Sequence, residues 1–166
     1  MTKAGLLSII LFPVMSFAAN QPGSECAAPG HFIEGMLLTR IKNDLGVDLT
    51  SIQYDKTTVN ILNIAPVSKF FAREMALADS QTHLEIPENI RLTENDYYSI
   101  YHDKHVLAVT AKYTFTDKNN KQSAFISSAL VNDDECSVRY NGYRYEKVIW
   151  NYVNVNIRHA VSCEER

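Results

Sequence analysis

Apolar residues between positions 31 and 45 recur at helical spacing: Ile33, Leu37 and Ile41 lie four apart, with Phe32 and Met36 beside them. That period lays one apolar stripe along a helix. Arg40, Lys42, Asn43 and Asp44 mark its solvated side. Gly46 follows, where a helix end favours a residue with positive φ. The spacing predicts an amphipathic helix over 31–45. Two extended pieces come next, Val47 to Tyr54 and Thr57 to Ile64, flanking Asp55-Lys56, and the second is β-branched and apolar. Ala65-Pro66 breaks the strand. A second helix is expected from about Ser68 to Asp79, with Ser68 as N-cap and Phe71 and Met75 on one face with Val67 and Ala78. Residues 80–92 read as irregular, and Pro87 excludes a central strand there.

Thr93-Glu94-Asn95-Asp96 has the form of a helix start, with an acid three residues after the threonine. A short helical turn through Tyr97, Tyr98 and Tyr101 would follow, although Tyr-Tyr-Ser-Ile-Tyr also suits a strand. From His105 onward the period is two. Leu107, Val109, Ala111, Tyr113 and Phe115 alternate with Ala108, Thr110, Lys112 and Thr114. Residues 117–121 form a turn to a strand at Ser123–Val131, making a hairpin. After the turn Asn132-Asp133-Asp134-Glu135, Cys136–Tyr140 and Tyr143–Trp150 flank Asn141-Gly142, a strong hairpin signal. Val153, Val155, Ile157, His159 and Val161 alternate again.

The expected order is helix, two short strands, helix, then an antiparallel run of about four strands. Segregated helices and strands mean an α+β fold. We expect an N-terminal amphipathic helix and a second helix packed on a curved antiparallel sheet. Cystatin-like and NTF2-like architectures share that layout, which is a likeness of element order and does not carry function.

Composition narrows the class. Of 166 residues, 46% are apolar and 21% charged, with a formal net charge of −3. That is enough apolar material for a core and argues against a disordered chain. The slight acidity gives no footprint for nucleic acid, and no nucleic-acid partner is expected. Lys3, an apolar run from Leu6 to Val14 and the small residues Ser16 and Ala18 have the form of a signal peptide. Residues 1–18 are expected to be removed, leaving one domain over 19–166. The apolar run is short of the roughly 20 residues a membrane span needs, and no span is expected elsewhere. Removing Lys3 leaves 15 Lys plus Arg against 19 Asp plus Glu, a net charge of −4. Thirteen asparagines without one Asn-x-Ser/Thr site fit a bacterial chain. The expected location is the periplasm or the outside of the cell, and residues 19–30, with Pro22, Gly23, Pro29 and Gly30, read as a loose lead-in.

An oxidising compartment makes the cysteines informative. Three of them, Cys26, Cys136 and Cys163, imply one disulfide and one odd thiol. Cys136–Cys163 is the expected pair. It fits a register in which Cys136 lies opposite Cys163, Val138 opposite Val161 and Tyr140 opposite His159, with Asn141-Gly142 as a bulge. The competing register turns at Asn141-Gly142, sets Cys136 opposite Lys147, and makes Cys26 the partner of one of the others.

No catalytic motif emerges. His102 and His105 could share a metal only if their segment were helical, and Asp103-Lys104 reads as a turn, so no metal is expected. Asp133-Asp134-Glu135 reads as a solvated turn. No nucleophile elbow or phosphate-binding loop is present, and no cofactor is expected. The strongest surface signal is Val138 to Tyr145. With a turn at Asn141-Gly142, Tyr140 faces Tyr143, while Arg139 sits opposite Arg144 on the other face. Tyrosine and arginine anchor protein interfaces because they bury area and keep polar handles. Arg139, Tyr140, Tyr143, Arg144 and Tyr145, with a second cluster at Tyr97, Tyr98 and Tyr101, are the candidate contact residues. The sequence therefore reads as a small non-catalytic protein-binding module: an inhibitor, an immunity protein or an accessory factor of an envelope system. Its partner would be another protein. A small-ligand carrier using the concave sheet face, and an envelope hydrolase, are the alternatives.

Overall fold

The computed structural model describes residues 21–82 and 86–147. Three helices and four strands follow the order α1 (Phe32–Leu45), β1 (Thr58–Pro66), α2 (Lys69–Thr82), α3 (Glu94–His102), β2 (Leu107–Thr116), β3 (Gln122–Val131) and β4 (Arg139–Lys147). The strands form one antiparallel sheet in the order β1-β2-β3-β4. The fold is α+β, with helices on both faces of the sheet.

Local chemistry accounts for the ends of the helices. Gly46 terminates α1 with φ 64°, and its N–H donates to the Lys42 carbonyl at 3.0 Å. That left-handed geometry carries no Cβ clash in glycine. Ser68 Oγ accepts from the Phe71 N–H at 3.2 Å at the start of α2. Thr93 and Asp96 form a reciprocal capping box at the start of α3, which settles Tyr97 to Tyr101 as helix. The hydrogen bonds from Thr93 hold the Asp96 carboxyl below its ordinary pKa of 3.8.

Alternation along β2 and β3 divides the core in two. Val109, Ala111, Tyr113 and Phe115 point to one face, where Phe125, Ala129 and Val131 of β3 join them. Ile33, Leu37 and Ile41 of α1 pack there, all fully buried. Ala108 and Leu130 point to the other face and meet Ala72, Met75 and Ala76 of α2 and Tyr101 of α3.

The lead-in is not loose. Ser24–Ala27 form a 3-10 turn whose Cys26 and Ala27 are buried in the α1-side core. Tyr113 Oη donates to the Ala27 carbonyl at 2.8 Å. Cys26 bonds to Cys136, 110 residues away in the chain. The expected Cys136–Cys163 bridge is therefore corrected: Cys136 is taken by Cys26, and Cys163 lies outside the described residues. The first extended piece is corrected too. Residues 49–51 and 54–56 form 3-10 turns, and a single bridge joins Ile52 to Asp117. Asp48 drives the first of these, since its side chain accepts from the Thr50 N–H at 2.9 Å, a local bond that competes with a strand ladder. The signal segment 1–18, the expected strand at 153–161 and the partners proposed there for Cys136, Val138 and Tyr140 fall outside the described residues.

Candidate contact surface

The Asn141-Gly142 pair is not the hairpin turn of the competing register but a bulge, as the expected register required. It lies inside β4: Ala129 pairs with Tyr140 and Ser128 with Gly142, so Asn141 has no cross-strand partner. Gly142 has φ 101°, open to glycine. Tyr140 therefore does not face Tyr143, and Arg139 does not face Arg144, because all four share one strand. In a regular strand, residues 140 and 143 would point to opposite faces. One inserted residue restores them to the same side. Tyr140 and Tyr143 consequently both pack on the α1-side core, where Tyr145 also lies, opposite Phe125. Arg139 and Arg144 occupy the other face, opposite Leu130 and Ile126. The partition of tyrosines from arginines matches the expectation, although a bulge produces it.

Burial then separates the candidates. Tyr140 is half-buried, its hydroxyl 2.9 Å from Ser127 Oγ, and loss of hydration pushes its pKa up. Tyr143 Oη donates to Asp44 Oδ2 of α1 at 3.2 Å, and its ring meets Phe125 edge-on at 5.9 Å. Arg139 forms a fork with Asp79 of α2: Nε to Oδ2 at 2.7 Å and Nη2 to Oδ1 at 2.8 Å. Its Nη1 donates to Asn141 Oδ1 at 2.7 Å. The bonds to Asp79 raise the guanidinium's pKa further. Tyr101 Oη donates to the same Asp79 Oδ2 at 2.5 Å, and burial, then this bond, raise the phenol's pKa far above its ordinary value.

This clamp joins α2, α3 and β4 around one carboxylate. The remaining α3 tyrosines belong to the same layer. Tyr97 stacks on Tyr101 with centroids 6.1 Å apart, and Tyr98 stacks on His102 at 5.2 Å with Arg73 over its other neighbourhood, 5.7 Å from the ring centroid. Tyr97, Tyr98 and Tyr101 thus build the second layer and lie on different elements from the β4 residues. Of the β4 group, Arg144 is exposed and Tyr145 is 51% exposed. Sequence reasoning missed Asp79, whose partner lies 60 residues on. An acid on the inward side of a predicted helix was the available signal.

The part of the second face not covered by α2 and α3 is polar. Lys112, Thr114, Gln122, Ala124 and Glu146 line a shallow groove there, and Lys112 and Glu146 form an ion pair within it. The other candidates reduce to local structure. His102 ends α3 with Nδ1 3.1 Å from Asp103 Oδ1, and His105 lies beyond the helix with φ 50°. Among the described residues no three His, Cys, Asp or Glu side chains are grouped to hold a metal ion. Asn132 Oδ1 accepts from the N–H groups of Asp134 and Glu135, which shapes the acidic turn. No helix among the described residues is long and apolar enough to cross a membrane. No family model, curated protein or solved structure matches this chain.

Proposed function

We propose that this protein is a small exported protein-binding module, without catalysis of its own, whose contact surface is the exposed end of β4. The observation that supports this reading is the placement of Arg144 and Tyr145. They are adjacent on an outer strand of the sheet as described, one on each face, and both are open to solvent. Together they offer a cation and an aromatic anchor with a polar tip, the residue types that dominate binding energy at protein interfaces. Tyr143, half-buried and tied to Asp44, supports the pair from behind. Arg139 and Tyr101 serve the surface indirectly by tying β4 to α2 and α3 through Asp79, and Tyr140 by packing β4 on the α1-side core, while Tyr97 and Tyr98 stay within the α2–α3 layer.

The disulfide Cys26–Cys136 is compatible with export to the periplasm or beyond. Site-specific photocrosslinking in the native compartment tests the reading. A crosslinker at position 145 is expected to give one discrete protein adduct, lost with Arg144→Ala, while a crosslinker at position 118 gives none. Identical adducts from both positions would overturn it.

The small-ligand reading has one observation in its favour, the groove lined by Lys112, Thr114 and Glu146. Its lining suits a small polar ligand more than an apolar one. The α1-side face is filled by Tyr113, Phe115 and Phe125, so a carrier would use the opposite face. Lys112→Ala would then abolish ligand binding and leave the crosslink at 145 intact.

A further inference from the structure

Helix α2 leaves both of its phenylalanines and Leu77 open to solvent. Ala72, Met75 and Ala76 are buried, whereas Phe70 is 75% exposed and Leu77 40%. At 3.6 residues per turn, positions 70, 73, 74 and 77 fall within roughly 100° of arc on the side away from the buried set. Arg73 and Glu74 are both exposed. Arg73 is steadied over the Tyr98 ring at 5.7 Å. Glu74 makes no ion pair with any described residue.

The order along this stripe is apolar, basic, acidic, apolar. Two such helices laid antiparallel about a two-fold axis between positions 73 and 74 bring Phe70 to Leu77 of the second copy. The same operation brings Arg73 to its Glu74. Every position meets a complementary one, which is what an isologous contact requires. A heterologous partner has no need of that self-matching order.

We propose that the outer face of α2 is the contact through which two copies of this chain form a two-fold dimer. Phe70 and Leu77 supply the apolar seam, and the Arg73–Glu74 pairs fix direction and register, as charges do at helix interfaces. The contact lies on the far side of the sheet from Tyr145 and does not depend on the β4 reading.

Sedimentation equilibrium of the full chain over a concentration series tests the proposal. A reversible monomer–dimer equilibrium is expected. Phe70→Glu weakens it by at least about tenfold, as loss of an interface anchor does, with the melting temperature of the monomer unchanged. Glu74→Arg weakens it as well, by placing like charges at the axis. Arg73→Glu combined with Glu74→Arg restores association, because the pairing is exchanged and preserved. A wild-type chain that stays monomeric at every soluble concentration overturns the proposal. So does a dimer indifferent to Phe70→Glu, or a double exchange that recovers nothing, either of which would leave this face to a different partner or to none.

Discussion

On one side of the sheet, α1 buries Ile33, Leu37 and Ile41 against Tyr113, Phe115 and Phe125, and a disulfide closes the chain over them. On the other side, α2 lays Ala72, Met75 and Ala76 over Ala108 and Leu130. The first layer is held by large apolar side chains. The second buries fewer large ones and adds a polar clamp, in which Asp79 receives Arg139 and Tyr101. Apolar burial scales with area, so the α1 layer draws more from the hydrophobic effect. The α2–α3 layer depends more on a directional network, in which losing one partner strands the others. The comparison also bears on the proposed contacts. Of the contact residues proposed on β4, Tyr145 lies on the well-packed side and Arg144 on the other, and the layer with fewer large buried side chains carries the exposed phenylalanines.

Four measurements test this contrast. The largest effect is expected from the disulfide. Cys26–Cys136 closes a loop of 110 residues, and cross-linking a chain of that length is worth roughly 4–5 kcal/mol through the unfolded state. Cys136→Ser should lower stability in denaturant melts by about that amount. A change under about 1 kcal/mol would mean the α1 layer holds the lead-in without it. Next comes Leu37→Ala, where a fully buried leucine is lost from the centre of the α1 stripe. A cost of about 2–5 kcal/mol is expected. A smaller loss than that from Arg139→Ala would reverse the ranking of the two layers.

Arg139→Ala leaves the half-buried Asp79 carboxylate without its fork and should cost about 1–3 kcal/mol. Hydrogen exchange should show α2 and α3 losing protection while α1 keeps its own. Uniform loss across both layers would show that they unfold as one unit.

The smallest effect concerns the cap of α3. Asp96 has its pKa lowered by the hydrogen bonds of Thr93, its ordinary value being 3.8. A carboxyl with a depressed native pKa contributes stability that is complete above the unfolded value. That contribution disappears as pH falls through the native one. Asp96→Asn should therefore flatten the fall of stability below about pH 4 and leave its shape above pH 5 unchanged. Parallel pH profiles for the two proteins would show that the capping carboxylate does not titrate with folding.

Where the determinants were local, the sequence was sufficient. The stripe Ile33-Leu37-Ile41 with Gly46 behind it needs only a helical period and a residue that tolerates positive φ. Thr93 and Asp96 satisfy each other within one turn. The alternation from Leu107 to Phe115 and the hairpin after it depend on side-chain period and a short turn. Each of these holds whatever lies across the core. Asn141-Gly142 is different, because the same dipeptide serves a two-residue turn and a bulge. The choice belongs to the ladder with β3, which continues on both sides of it. The cysteines follow the same rule. A bridge needs two Cα atoms within about 7 Å, and separation along the chain says nothing of that once a core folds the lead-in back. The sheet brings Cys26 and Cys136 to 5.3 Å, across a span the primary structure makes look remote. Arg139 belongs in this group too. Read along β4 it is a surface cation beside tyrosines, and only the packing of α2 on the second face supplies Asp79 and turns it into a strut. Pairings across 60 or 110 residues are decided by which faces pack together, and a one-dimensional pattern specifies the faces without naming their partners.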